Sequence, residues 1–153
     1  MIYSLEEQEN LDIDWFFIDK NCNICHVASA GGKLPKIAIS KEVNQKLLLF
    51  FKSLPIISHE VTVCPTLTDF VSFDTEESKN NYLTDFLFFA KRGLFSFDKT
   101  LLGQFENYEY HLVVSPIKKV SIDNFPKDII NILSEIDVDD VSQLSKLSLS
   151  EFI

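Results

Sequence analysis

Hydrophobic positions fall into short blocks whose period changes along the chain. Ile13 to Asp19 (IDWFFID) is an aromatic run bounded by turn formers, and Ile24 to Ala30 (ICHVASA) follows the turn Lys20-Asn21-Cys22-Asn23. Such a pair predicts a β-hairpin. Four adjacent apolar residues, Trp15 to Ile18, exceed simple alternation and predict a strand covered on both faces. After Gly31-Gly32 the period lengthens. Val43, Leu47, Phe50, Phe51 and Leu54 recur at spacings of three and four, which predicts a helix from Lys41 to about Leu54. Ser40 is its expected N-cap and Pro55 its stop.

Glu60 to Cys64 is a candidate strand. Asp74 with Glu77 has the spacing of a capping box, opening a helix from Thr75 to Arg92 that ends at Gly93. Tyr82, Phe86 and Phe89 form one apolar row on it, and Leu83, Leu87 and Ala90 form another. Phe88 lies outside both, so it is either covered by another element or exposed as an interface residue. Leu94 to Asp98 and Tyr108 to Ile117 predict a second hairpin, with Tyr108, Tyr110, Leu112 and Val114 on one face. Asp123 or Asn124 is expected to cap a third helix beginning near Pro126, with Ile129, Ile130, Leu133 and Ile136 as its core stripe. Asp137 to Ile153 reads as a weak helix or a packed tail. Strands and helices come in blocks without βαβ alternation. The expected class is therefore α+β: one domain over residues 1–153, a mainly antiparallel sheet built from two hairpins, and about three helices. Residues 137–153 are set apart as a candidate peripheral segment.

Composition agrees with a folding chain. Of 153 residues, 46% are hydrophobic and fourteen are Phe, far from the low-hydrophobicity signature of disorder. No apolar run reaches the roughly 18 residues a membrane span needs. The first ten residues carry three Glu and no base, unlike a secretory signal. Three cysteines are an odd, sparse count that suits a reducing compartment. The expected location is the cytoplasm.

The net charge of −9 is uneven. Residues 1–14 hold five acids and no base; residues 121–153 hold seven acids and two bases. The middle is close to neutral. Such a balance opposes nucleic-acid binding, which needs a basic footprint, and favours encounter with a cationic partner. Two acidic groups are the candidate contact residues: Glu6, Glu7, Glu9, Asp12 and Asp14 near the start, and Asp137, Asp139 and Asp140 near the end. Phe88 is the candidate aromatic anchor.

Motifs for chemistry are few. Cys22-Asn23-Ile24-Cys25-His26 spells the c-type haem string. The expected setting is a hairpin without an export signal, and the only Met is Met1, so haem attachment is rejected and no cofactor is expected. A C-x-x-C turn is also half of a zinc knuckle. The alternative reading is therefore a zinc-stabilised domain using Cys22 and Cys25 with His59 and Cys64, with His26 and His111 as spares. A thioredoxin-like role fits worse, because there the motif opens a helix. There is no G-x-S-x-G, and each His lies beside apolar residues on a predicted strand or loop. No enzymatic activity is expected.

The stretch IDWFFIDKNCNICHVASAGGKLP, followed by KEVNQKLLLFFKSLP, resembles small bacterial immunity proteins encoded beside polymorphic or contact-dependent toxins. GLFSFDK and YEYHLVVSPIKKVSIDNFPKDIINIL resemble their second hairpin and third helix, so the likeness covers residues 12–136. In those proteins the first turn usually carries Gly where this chain has Cys22. The resemblance implies a cytosolic protein that binds a toxin domain tightly and blocks it. Many such toxins are basic nucleases, which suits an acidic inhibitor.

Overall fold

In the computed structural model, which describes residues 1–153, the chain order is α1 (Leu5–Asn10), β1 (Asp14–Ile18), β2 (Ile24–Ala28), α2 (Lys41–Ser53), β3 (Val61–Val63), α3 (Glu76–Lys91), β4 (Phe95–Lys99), β5 (Glu109–Pro116), α4 (Lys127–Ile132) and β6 (Lys146–Ser148). The two expected hairpins are present and join edge to edge in the order β1-β2-β4-β5. Their junction, β2 with β4, is parallel. Parallel neighbours need a long crossover, and α2, β3 and α3 supply it. β3 and β6 share the outer edge of β5, β3 opposite Val114–Pro116 and β6 opposite Glu109–His111. The result is an α+β fold with a mixed, mostly antiparallel six-stranded sheet curled into a half-barrel.

Both faces of the sheet are covered, which explains the unbroken apolar run at Trp15–Ile18. Trp15 and Phe17 point into the larger core with Val27, Phe97, Tyr110 and Leu112. Phe16 points the other way, into a smaller core with Leu47 and Phe51 of α2 and Ile129 of α4. α3 covers β4 and β5. At Val113 the period of two slips, because β5 is bulged against Ser96 and Phe97. Residues 110–114 are all buried because both faces of the sheet are covered here.

The C-terminal segment closes the half-barrel. The Ile18 N–H donates to the Ser134 carbonyl and the Ile136 N–H to the Ile18 carbonyl, each at 2.9 Å, along the outer edge of β1. The chain then crosses to β5 and pairs as β6. On the way it buries Ile136, Val141 and Leu147 in the larger core. Residues 137–153 are thus packed into the fold, and the Ser/Leu alternation there is the two-residue period of a strand, not a weak helix.

Three further expectations are corrected. α1 was unanticipated: LEEQEN is too short and polar to show a stripe, and it is set by a capping box between Ser4 and Glu7. The box opening α3 is Thr75 with Ser78, one residue beyond Asp74 with Glu77. Neither Asp123 nor Asn124 caps α4; they lie in a 3-10 turn capped by Ser121, and Pro126 precedes α4 without a side-chain cap. α4 stops at Ile132 because the edge of β1 draws Ser134–Ile136 into extended pairing. Ile130 is exposed, and Ile136 reaches the core from outside the helix. No helix is long and apolar enough to cross a membrane.

Candidate partner-binding surface

The N-terminal acids divide by what holds them. Glu7 closes the capping box: its Oε2 accepts from the Ser4 N–H at 2.8 Å, while its N–H donates to the Ser4 hydroxyl at 3.1 Å. Its Oε1 accepts from Lys41 Nζ at 2.6 Å. The Lys41 bond, then the Ser4 amide, holds its carboxyl below the usual range. Asp14 is half-buried, its Oδ1 2.6 Å from His26 Nε2. Those two acids tie the fold together. Glu6, Glu9 and Asp12 are exposed and make no ion pair within the chain. Asp12 makes a local bond, accepting from the Ala30 N–H at 2.9 Å.

The C-terminal acids sit elsewhere. Asp140 Oδ1 accepts from Ser142 Oγ, Asn23 Nδ2 and the Ser142 N–H at 2.6, 2.7 and 3.0 Å. These bonds, that of the Ser142 hydroxyl first, lower its carboxyl. Asp137 pairs with Lys20 at 3.0 Å, and Asp139 is exposed and unpaired. Asp140 docks at the β1–β2 turn, whereas Asp12 precedes β1. Seven residues of extended chain between Asp12 and Asp19 span roughly 23 Å. The two acidic groups therefore lie at opposite ends of β1.

Phe88 is half-buried. The Arg92 guanidinium lies 3.6 Å from its ring centroid, and Arg92 also donates to the Phe88 and Leu54 carbonyls. The chain itself supplies the cation on this ring.

The helix-covered face of the sheet carries a buried polar row that only the register reveals. The His26 imidazole lies between Asp14 and Ser96, with Nδ1 3.1 Å from Ser96 Oγ, and stacks on Phe89 at 4.1 Å. Beside it, Tyr82 donates to Asp98 at 2.8 Å. Its oxygen is 3.1 Å from His111 Nε2, and Thr100 Oγ is 3.0 Å from His111 Nδ1. Burial raises the Asp98 carboxyl to about 6 and lowers His111 to about 4. Burial also raises the Tyr82 hydroxyl, with Asp98 adding to it. Asp14–His26–Ser96 has the composition of a nucleophilic triad. Yet Ser96 is 0% exposed and His26 1%, so no substrate reaches the hydroxyl. The sequence placed these histidines beside apolar residues but could not supply Asp98 and Tyr82, whose positions depend on pairing across β4 and β5.

Comparison with family models, curated proteins and solved structures finds no match.

The four candidate zinc ligands are not brought together. Cys25 is buried in β2, and burial raises its thiol well above the usual range. Cys64 is buried beyond β3, 3.4 Å from the Thr66 hydroxyl, while Cys22 and His59 are exposed. No three His, Cys, Asp or Glu side chains converge on a common point. Cys22 has φ +61°, in the left-handed region that Gly and Asn enter at least cost. That is a turn requirement, and Cys is not a residue it favours.

Proposed function

We propose that this chain is an immunity-type protein that binds and neutralises a cationic toxin domain, and that the α1 end of β1 makes the contact. The observation carrying this reading is the state of Glu6, Glu9 and Asp12: three exposed carboxylates on one segment with no cation from the chain beside them. Ile2, Leu5 and Leu11, between 46% and 62% exposed, interleave with them. Unscreened carboxylates accelerate encounter with a basic surface. Apolar side chains that lose water on docking supply residence time. At the other end of β1, Asp137 and Asp140 are already engaged, leaving Asp139 as a minor contributor. Phe88, covered by Arg92, is outside this surface.

The direct test is co-expression with the toxin encoded by the adjacent gene. Protection of the cells and a complex on gel filtration are expected. Loss of viability together with separate elution of the two proteins contradicts the proposal.

A further inference from the structure

β6 pairs along one edge only, with β5. The Leu149 N–H donates to the Tyr108 carbonyl at 3.0 Å and the Leu112 N–H to the Ser145 carbonyl at 2.9 Å. Those two bonds fix the phase of the ladder. Residues 145, 147 and 149 turn their main-chain groups toward β5, so Lys146 and Ser148 turn theirs away. Both residues are exposed, and nothing in the chain pairs with their outward N–H and carbonyl groups.

Two hollows, of about 420 and 360 Å³, run along this edge between β6 and residues 135–139. Half-buried Val138, Leu144, Leu149 and Ile153 line them. The edge therefore has space and apolar surface beside it. A short strand carrying a lysine ordinarily discourages pairing. Here the Lys146 side chain leans over the Phe70 ring, with Nζ 6.0 Å from the centroid, which leaves the main-chain edge uncovered. Lys146 forms no ion pair, and neither do Glu135 and Asp139.

We infer that a second copy of this chain pairs with β6, antiparallel about a twofold axis through Leu147. The register is self-complementary. Lys146 of each copy faces Ser148 of the other, so every outward main-chain group of these residues is bonded, and the contact closes on itself. Charge fits as well. Ser148 borders the hollow that Glu135 and Asp137 line, so each Lys146 arrives beside carboxylates of the other copy. The net charge of −9 on each copy opposes association, and the paired edge is short, so the dimer is weak. The inference does not depend on the toxin-binding reading.

Sedimentation equilibrium of the full chain from about 10 to about 500 µM tests it. A monomer–dimer equilibrium is expected. Ser148→Pro removes an outward N–H and no bond to β5, a change that an edge strand tolerates. It should leave the urea midpoint near that of the wild type and keep the chain monomeric. Lys146→Glu should weaken the dimer about tenfold, and adding Glu135→Lys should restore it. These exposed substitutions keep the test open if the proline variant fails to fold. In a mixture of ¹³C-labelled and unlabelled chains, a contact between the Hα atoms of the two Leu147 residues is expected, because residues at a non-hydrogen-bonded position lie closest. A monomer at every concentration overturns the inference. So does a dimer that lacks the Leu147 contact or is unchanged by Ser148→Pro and Lys146→Glu.

Discussion

Asp14 Oδ1 and His26 Nε2 meet at 2.6 Å although neither residue is the other's cross-strand partner. Asp14 pairs with Ala28 and His26 with Phe16, so the contact is a diagonal one between neighbours on the same face of the hairpin. It is possible because Ala28 is small and leaves the imidazole room beside the carboxylate. The bond satisfies one ring nitrogen, and Ser96 faces the other. A histidine that is 1% exposed would otherwise carry a desolvation cost. The relationship fixes β1, β2 and β4 together and gives Asp14 an orientation at the rim of the proposed docking surface.

If this chain is structural, Ser96→Ala costs about 1 kcal/mol of stability and leaves partner binding unchanged. His26→Ala, which empties a packed site against Phe89 and strands Asp14, costs about 2–4 kcal/mol. Urea unfolding measures both. Abolition of the proposed partner binding by Ser96→Ala in a fully folded protein contradicts a structural role.

The second pair predicts opposed pH effects. Asp98 is raised from 3.8 to about 6 by burial, so between those values the folded state holds more protons than the unfolded. Its contribution is complete below 3.8 and is lost as pH rises through about 6. His111 is lowered from 6.5 to about 4 by burial, so its contribution is present above 6.5 and is lost as pH falls through about 4. Across pH 4–6 the two slopes oppose and largely cancel. Asp12, which raises the Asp98 carboxyl, and His26, which lowers it, are common to every variant compared. His111→Asn should therefore lose stability, relative to the wild type, as pH rises across this window. Asp98→Asn should gain it. Thermal or urea midpoints taken at each pH decide the signs, and parallel profiles for all three proteins contradict the assignment.

Cys22→Asn should raise stability by about 0.5–1 kcal/mol, because Asn tolerates φ > 0 better than other side chains with a Cβ. A chemical-denaturation midpoint reports it. A loss of stability would show that the thiol does something the turn geometry does not explain.

Gly93 offers the reverse case. It has φ +94°, and a Cβ there would lie 2.3 Å from the Val120 nitrogen. Gly93→Ala should cost well over 1 kcal/mol. Gly103, with φ +79° and open space around it, should cost only the conformational strain, about 1 kcal/mol. The difference between the two midpoints isolates the steric part.

Much of the fold was legible because periodicity and capping are local. IDWFFID with ICHVASA gave a hairpin, and Ser40 with Pro55 bounded α2. What escaped was decided at a distance. α4 ends where the edge of β1 claims Ser134–Ile136, and β6 forms because β5 has an unpaired half-edge. The acidic candidate contact residues were visible only as charge, and Phe88 only as an aromatic outside the apolar rows of its helix. Local sequence could not show that Lys41 neutralises Glu7, that Asn23 and Ser142 hold Asp140, or that Arg92 covers Phe88. Glu6, Glu9 and Asp12 emerge only after those partners are assigned.

The most direct measurement is the association rate of the chain with the proposed cationic toxin partner, followed against salt concentration for the wild type and for a Glu6→Gln, Glu9→Gln, Asp12→Asn triple variant. The wild-type rate should fall steeply with added salt. The triple variant should associate about tenfold more slowly at low salt, with a shallower salt dependence. A triple variant that associates as fast as the wild type, with the same salt slope, contradicts an electrostatic contact at this end of β1.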